Sequence, residues 1–200
     1  RMQTNLDNKV AFVSGSTMGI GKAIAESLLK ENTSVVICGR NKDALNTTVE
    51  EFSSKYGKEN VLGFSGDFSK QDRISNSIEK VIDRFKKIDI LVNNIGGTAK
   101  GGWEQSLEEW QNVFDNNYWV SIWLSQAVIP HMIDKKCGSI IFISSIAGVE
   151  AIGAPITYTT AKAAVIAAAK NWALELASYN IRVNTVSPGN VLFEGGAWEK

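Results

Sequence analysis

Six short apolar runs alternate along the chain with longer stretches of helical pattern, and this alternation constrains the fold most strongly. Most of the runs are nearly continuous Val, Ile, Leu and Phe, as in strands buried on both faces of a sheet. The predicted strands are residues 10–14, 34–38, 61–65, 89–94, 139–144 and 181–186. Such alternation implies right-handed βαβ crossovers. We therefore predict an α/β fold, a Rossmann-like, doubly wound parallel β-sheet flanked by helices on both faces.

The stretches between the runs carry apolar residues at helical spacing. Ile20, Ile24 and Leu28 follow each other four residues apart, which places them on one helix face. Further helices are predicted over residues 45–52, 74–85, 107–133 and 158–177. Because no linker or fixed-period repeat divides the 200 residues, we predict a single domain with one continuous sheet.

Charge and composition exclude several classes of partner. The 21 basic residues balance the 21 acidic ones, so no electrostatic footprint for nucleic acid or for a membrane surface is expected. The N-terminal residues are polar, and no apolar run reaches the roughly 18 residues of a spanning helix. Cys38 and Cys137 lack metal-ligand spacing, and we expect no metal and two buried thiols. These features predict a cytoplasmic protein.

A glycine-rich turn, GSTMGIG, joins the first predicted strand to the first predicted helix. Gly15 allows the tight turn, Gly19 lets backbone N–H groups approach a pyrophosphate, and Gly21 permits close packing of helix on strand. The spacing is GxxxGxG and differs from the GxGxxG dinucleotide fingerprint. A purely structural turn is the alternative.

The end of the second predicted strand bears on cofactor choice. An NAD site places an acidic residue there for the ribose hydroxyls, whereas this chain has Gly39 followed by Arg40. The guanidinium can hold a 2′-phosphate, so NADP(H) is favoured over NAD(H). Met18 supplies no second cation from the glycine turn, and the alternative is that Arg40 is an ordinary solvated charge.

Asp67 and Phe68 follow the third predicted strand. At this edge of the sheet both residues are candidates for contact with the adenine, Asp67 through the exocyclic amine. Alternatively, Asp67 caps the turn that follows.

The stretch YTTAK places a phenol and an ammonium four residues apart. Tyr158 and Lys162 therefore share one face of the last predicted helix. A neighbouring cation favours the phenolate form of tyrosine. Tyr158 then becomes a candidate general acid and base for a carbonyl–alcohol couple.

These motifs together resemble the short-chain dehydrogenase/reductase family. The resemblance covers nearly the whole chain, in the family's order: GSTMGIG, NNIG, Asn117, SSIAG, YTTAK and SPG. It implies a nicotinamide cofactor held by Gly15, Ser16, Thr17, Gly19, Ile20, Gly21, Arg40, Asp67, Phe68, Asn94, Gly96, Tyr158, Lys162, Pro188, Gly189 and Val191.

The resemblance also assigns roles to four catalytic candidates. Ser145, which stands thirteen residues before Tyr158, binds the substrate oxygen, and Tyr158 transfers the proton. Lys162 perturbs the phenol and binds the nicotinamide ribose, and Asn117 holds a water for a proton relay. The alternative, in which these are a helix-terminal Ser, an interface Tyr and a solvated Lys, requires three coincidences.

Two departures from the family pattern qualify this assignment. Ile95 replaces the usual Ala of NNAG and is expected to crowd the cofactor pocket. Family members also usually continue beyond the last residues, NVLFEGGAWEK, with a substrate-covering segment and a seventh strand. We therefore expect a missing or disordered tail after about residue 195, a lid that begins near Gly195, and an exposed edge at the sixth strand.

Several tryptophans are candidates for contacts outside the cofactor site. Trp103 and Trp198 are expected in loops over the active site, where they line an apolar substrate pocket or simply pack. Trp119 and Trp123, four residues apart, indicate core or subunit contacts. In the family the helices over residues 107–133 and 158–177 pair across a two-fold axis, which implies a homodimer or a homotetramer.

The sequence thus predicts an NADP(H)-preferring oxidoreductase that interconverts a carbonyl and a secondary alcohol. Two classes of small-molecule substrate stay open: 3-oxoacyl thioesters, or free ketones, sugars and polyols. A non-catalytic dinucleotide-binding module or redox sensor with the same fold is the alternative function.

Overall fold

The computed structural model describes residues 4–193, which form one six-stranded parallel sheet. The strands are β1 Val10–Val13, β2 Ser34–Gly39, β3 Val61–Ser65, β4 Ile90–Asn93, β5 Gly138–Ile143 and β6 Ile181–Val186. Their order is β3-β2-β1-β4-β5-β6. The chain winds outward from β1 to β3, crosses back to β4 and winds outward again to β6. The predicted doubly wound α/β fold is confirmed, and its switch point lies between β1 and β4.

Within residues 4–193, six α-helices flank the sheet. They are α1 Gly19–Leu29, α2 Lys42–Tyr56, α3 Gln71–Phe85, α4 Leu107–Phe114, α5 Val120–Lys135 and α6 Ile156–Leu176. The single helix predicted over residues 107–133 is interrupted, because a π-helical segment, Asp115–Trp119, separates α4 from α5. Wider turns of this kind often occur at functional sites.

Two hydrophobic clusters fill the two faces of the sheet. On one face, Phe12 and Phe142 pack with residues of α3, α5 and α6. On the other face, Val13 and Ile37 pack with residues of α1 and α2, including Phe52. Because helices cover both faces, all four residues of β1 are buried, which explains its unbroken apolar sequence.

Ionic contacts join α1 to α2 on the outside of the sheet. The Glu26 carboxylate accepts hydrogen bonds from Lys55 Nζ at 2.6 Å and from the Tyr56 hydroxyl at 2.9 Å. These contacts lower the pKa of Glu26 to about 2. A second ion pair, between Lys22 and Glu51, spans 2.7 Å.

Strand β6 pairs only with β5 among the described residues, and its exposure alternates. Ile181 and Val183 face the core, while Arg182 and Asn184 are exposed. The expected edge at the sixth strand is therefore present in this part of the chain. No helix within residues 4–193 is both long and apolar enough to cross a membrane.

The two cysteines occupy different environments. Cys38 is buried in β2, and burial raises the pKa of its thiol to about 12. Cys137 is exposed, so the expectation of two buried thiols is wrong for this residue. It follows Lys136, which ends α5 in the left-handed conformation, and therefore lies in the tight turn before β5.

Candidate active site

The glycine turn lies between β1 and α1 at the switch point of the sheet. Gly15 and Gly19 have φ values of +61° and +55°, a region that side chains other than glycine rarely adopt. At Gly21 a Cβ would collide with the Gly15 carbonyl oxygen and with the Asn94 amide. The Nδ2 of Asn94 donates to the Gly15 carbonyl at 2.9 Å. The turn is thus held tightly against the end of β4.

Ser16 and Thr17 have different roles within this turn. The Ser16 hydroxyl is fully buried, donates to the Val13 carbonyl at 2.6 Å and accepts from the Cys38 N–H at 3.1 Å. It therefore joins β1 to β2 and does not face the cavity described next. Thr17 does face that cavity, and a Cβ at Gly39 would lie 2.7 Å from its Cγ2.

A cavity of about 680 Å³ opens along the carboxyl ends of the strands. It extends from Arg40, after β2, to Asn117 in the π-helical segment. The predicted site residues that line it are Gly15, Thr17, Gly19, Ile20, Arg40, Asp67, Phe68, Asn94, Gly96 and Asn117. Ile95 also lines the cavity. This is the residue that replaces the family's usual Ala and was expected to crowd the cofactor pocket. The volume suits a bound cofactor.

Asp67 and Phe68 are tied to their own surroundings as well. The Ser69 N–H donates to Asp67 Oδ1 at 3.0 Å, and this bond lowers the pKa of the carboxyl. Asp67 thus caps the turn while it lines the cavity. Phe68 is only 2% exposed, and its ring packs edge-on against Phe12, so its side chain is part of the core.

Lys162 is buried close to Gly96 and Asn117, two residues that line the cavity. Its Nζ donates to the Ile143 carbonyl at 3.0 Å, and burial lowers the pKa of the amine to about 8. The same nitrogen lies 5.7 Å from the centre of the Tyr158 ring. A Cβ at Gly96 would lie 2.9 Å from Asn117 Oδ1 and 3.1 Å from Lys162 Nζ. The structure therefore brings Gly96, Asn117, Tyr158 and Lys162 together.

The π-helical segment turns Asn117 into this group. Asn117 is 2% exposed, its Oδ1 accepts the Gly97 N–H at 3.1 Å, and its Nδ2 donates to the Val113 carbonyl at 3.0 Å. Both ends of the amide are thereby fixed. The sequence identified the residue, but the widened helical turn gave no recognisable pattern.

Ser144 and Ser145 follow β5 and are used differently. The buried Ser144 hydroxyl donates to the Lys162 carbonyl at 2.9 Å. The half-buried Ser145 Oγ accepts the Ala147 N–H at 3.2 Å and so begins a short 3₁₀ turn, Ile146–Gly148. Its hydroxyl hydrogen donates to no other group among the described residues, which leaves Ser145 available to a ligand.

The segment after β6 carries the remaining predicted residues. The Pro188 carbonyl accepts the Ile146 N–H at 3.0 Å, which joins this segment to the turn that follows Ser145. Gly189 approaches Ile146, since a Cβ there would lie 3.7 Å from Ile146 Cδ1. Val191 lines a neighbouring apolar groove over α1 and does not line the cavity that contains the glycine turn and Asn117.

Phe193 is a cavity residue that sequence reasoning missed. A Cβ at Gly19 would lie 2.7 Å from the Phe193 ring, so the ring lies directly on the glycine turn. The apolar run VLF after SPG is the available signal, but nothing in it specifies a contact with α1. Trp103 is 89% exposed in the loop after β4, while Trp198 and the lid expected near Gly195 lie outside the described residues.

Within residues 4–193 no three His, Cys, Asp or Glu side chains come together in a way that could hold a metal ion. The polar side chains that lie close together are instead the Asn117 amide, the Lys162 ammonium and the Tyr158 phenol, while the Ser145 hydroxyl follows β5. Such groups can position a ligand and move a proton.

Comparison with known proteins agrees with this geometry. A 3-oxoacyl-[acyl-carrier-protein] reductase of Thermotoga maritima is 36% identical over 92% of this chain and 74% of its own. Two solved structures have the same fold. L-sorbose reductase from Gluconobacter frateurii, complexed with NADPH and L-sorbose, has a TM-score of 0.92 and 32% identity over 97% of this chain and 74% of its own.

The second structure is 7α-hydroxysteroid dehydrogenase, complexed with NADH and 7-oxo glycochenodeoxycholic acid. Its TM-score is 0.89 at 31% identity, over 95% of this chain and 74% of its own. A family model described as short chain dehydrogenase matches residues 9–195. The chain therefore belongs to the short-chain dehydrogenase/reductase family of oxidoreductases.

Proposed function

We propose that this protein is an NADP(H)-preferring oxidoreductase that interconverts a carbonyl group and a secondary alcohol, with Tyr158 as the general acid and base. The observation that carries the proposal is the buried Lys162 ammonium beside the Tyr158 ring. Lys162 Nζ also lies close to Gly96, which lines the same cavity as the glycine turn. A buried, unpaired lysine destabilises a fold, and its presence is explained by a chemical role.

The residues present fit a nicotinamide dinucleotide. The N-terminus of α1 begins at Gly19 and faces the cavity, so its free N–H groups and helix dipole favour a pyrophosphate there. The cofactor supplies or accepts the hydride. The protein's own task is to bind, to orient and to move the proton.

Tyr158 and Lys162 act as a pair in the proton step. With a pKa of about 8, the Lys162 amine is mostly protonated at neutral pH. Its charge stabilises the phenolate that forms when Tyr158 gives its proton to the substrate oxygen. The bond from Nζ to the Ile143 carbonyl keeps the ammonium in place.

Ser145 and Asn117 complete the arrangement. The Ser145 hydroxyl, free to donate, binds the substrate oxygen and stabilises the charge that develops on it. Asn117, with its amide fixed at both ends, positions a water beside Lys162, through which Tyr158 regains its proton. These roles follow the family pattern at the matching residues.

The preference for NADP(H) rests on the end of β2. Arg40 lines the cavity there, and Gly39 has no carboxylate to repel a 2′-phosphate or to bind ribose hydroxyls. The two structural relatives were solved with NADPH and with NADH respectively, so the family alone does not decide the matter. The residues of this chain favour the phosphorylated cofactor.

A calorimetric titration with NADPH and NADH tests the cofactor assignment. We expect tighter binding of NADPH, and we expect Arg40→Ala to weaken NADPH at least tenfold while NADH changes little. Lys80→Ala, which removes an exposed charge from α3, is the matched control. Equal affinities in the wild-type protein would contradict the preference.

Tyr158→Phe tests the catalytic assignment against the alternative of a non-catalytic binding module. We expect loss of at least a thousandfold in kcat with an unchanged Kd for NADPH, because only the proton donor is removed. Retained turnover would exclude Tyr158 as the acid. A protein that binds the cofactor but turns over no carbonyl or alcohol substrate would support the binding module.

A further inference from the structure

The loop between β5 and α6 presents an apolar surface beside the proposed catalytic residues. Ile146, Val149 and Ile152 of the loop, and Ile156 at the start of α6, are 36%, 65%, 46% and 45% exposed. They form what we call the apolar loop surface. These four exposed side chains lie between Ser145 and Tyr158 in the sequence, and large apolar groups exposed together often mark a binding site.

Two contacts hold this loop next to the reacting groups. The Ile146 N–H donates to the Pro188 carbonyl at 3.0 Å. Gly148 packs on α6 so closely that a Cβ would lie 2.7 Å from the Lys162 carbonyl carbon. The start of the apolar loop surface is therefore fixed against the helix that carries Tyr158.

The loop has few polar groups, and their chemistry selects against two classes of substrate. Among residues 146–157 only Glu150 and Thr157 have polar side chains, and Thr157 is fully buried. Glu150 is exposed and carries the only charge. The loop thus provides little hydrogen bonding for a polyol, and its carboxylate disfavours an anionic substrate.

We propose that the substrate is an uncharged, mainly apolar ketone, or the matching secondary alcohol, whose hydrocarbon body packs on the apolar loop surface. This inference rests on the proposed function. In the reduction, the carbonyl carbon gains a hydride, its oxygen gains the Tyr158 proton, and the reduced nicotinamide is oxidised. The phenolate then regains a proton from water, so the reaction is balanced.

A substrate series with the full-length protein and NADPH tests this assignment. The probes are 2-alkanones from 2-butanone to 2-octanone, with L-sorbose as a polyhydroxylated ketone and acetoacetyl-coenzyme A as an anionic thioester. We expect kcat/KM to rise by about fourfold for each methylene that becomes buried. We expect the ketose and the thioester to be poorer substrates than 2-octanone by at least a hundredfold.

Two variants test whether the dependence of kcat/KM on the length of the 2-alkanone arises from the apolar loop surface. Val149→Ser and Ile152→Ser replace exposed side chains and are expected to flatten the chain-length dependence through KM, with the Kd for NADPH unchanged. Tyr179→Ser is the control, since this partly exposed ring precedes the amino end of β6, whereas the apolar loop surface follows the carboxyl end of the parallel strand β5. It is expected to leave the series unchanged.

The outcomes separate the inference from the proposed function. Turnover that favours the ketose or the thioester overturns the inference and leaves the proposed function in place. Serine variants that lower Tm without changing KM also overturn it, because the surface would then serve packing. Absence of turnover with every probe, despite cofactor binding, overturns both.

Discussion

The Lys162 ammonium lies 5.7 Å from the centre of the Tyr158 ring, on the same face of α6. Lys162 is only 5% exposed, and its Nζ makes one hydrogen bond, to the Ile143 carbonyl. The fold thus holds an amine at a position where burial disfavours its charged form. Such an arrangement is unfavourable for stability and useful for stabilising a phenolate.

Replacing this lysine is expected to separate stability from activity. Lys162→Met removes the buried charge, and we expect the free energy of unfolding at pH 7 to rise by about 2 kcal/mol while turnover is lost. Thermal denaturation and a steady-state assay measure the two effects. A variant with lower stability would show that the contact with Ile143 outweighs the burial of charge.

The same group predicts how stability depends on pH. The pKa of Lys162 is about 8 in the folded protein and 10.5 in the unfolded chain. Between these values the unfolded chain binds more protons, so the free energy of unfolding should rise with pH from about 8 to 10.5. Urea unfolding across this range measures the effect, and Lys162→Met should lack this contribution.

Much of the fold could be predicted from the sequence, because strands buried on both faces leave unbroken apolar runs. β3 and β6 were predicted with the bounds that the structure shows. The segment around Asn117 could not be predicted, since a π-helical turn depends on tertiary contacts such as the Gly97 N–H on Asn117 Oδ1.

The candidate site shows the same division. Tyr158 and Lys162 have a fixed spacing on one helix, so their proximity was predictable. The burial of the Ser16 hydroxyl and the core position of the Phe68 ring were not, because adjacent residues of a turn give no periodic signal. Phe193 contacts Gly19 across more than 170 residues of chain, a distance over which local patterns carry no information.

Phe193 is predicted to compete with the cofactor. Its ring lies on Gly19, where a pyrophosphate must approach the N-terminus of α1. Phe193→Ala should therefore tighten NADPH binding several-fold in a calorimetric titration. Leu192→Ala, next to it and 74% exposed, is the matched control, and weaker binding in Phe193→Ala would show that the ring supports the cofactor.

Gly39 and Thr17 are predicted to act together on cofactor choice. A Cβ at Gly39 would lie 2.7 Å from Thr17 Cγ2 and 2.9 Å from Thr17 Oγ1, so Gly39→Asp alone should weaken both NADPH and NADH. Adding Thr17→Ala gives the carboxylate room to reach the ribose hydroxyls. We expect the double variant to prefer NADH, and binding assays in which both variants behave alike would contradict the steric coupling.

Glu26 is predicted to stabilise the contact between α1 and α2. Its pKa is about 2 in the folded protein and 4.5 in the reference state, so its contribution is complete above pH 4.5 and is lost as the pH falls towards 2. Glu26→Gln should lower the free energy of unfolding at pH 7 by about 1 kcal/mol. Glu51→Gln should change it less, because the Glu51 side chain is 46% exposed whereas that of Glu26 is 27% exposed.

Self-association is predicted through the outer faces of α5 and α6. Trp119, at the end of the π-helical segment, is 38% exposed and stacks on Trp123 of α5, while Ala163 and Ala167 present small side chains one turn apart on α6. Small residues allow a second pair of helices to approach closely. A homodimer or a homotetramer that forms this way should dissociate in Trp123→Arg, as measured by sedimentation velocity.

Trp103→Arg is the control for that measurement. Its side chain is 89% exposed in the loop after β4, outside α5 and α6, so the same change there should leave the assembly intact. If Trp123→Arg dissociates the assembly and Trp103→Arg does not, the subunit interface includes the outer faces of α5 and α6. A monomeric wild-type protein, or an assembly that survives Trp123→Arg, would exclude this face as the interface, because an uncompensated buried charge is strongly destabilising.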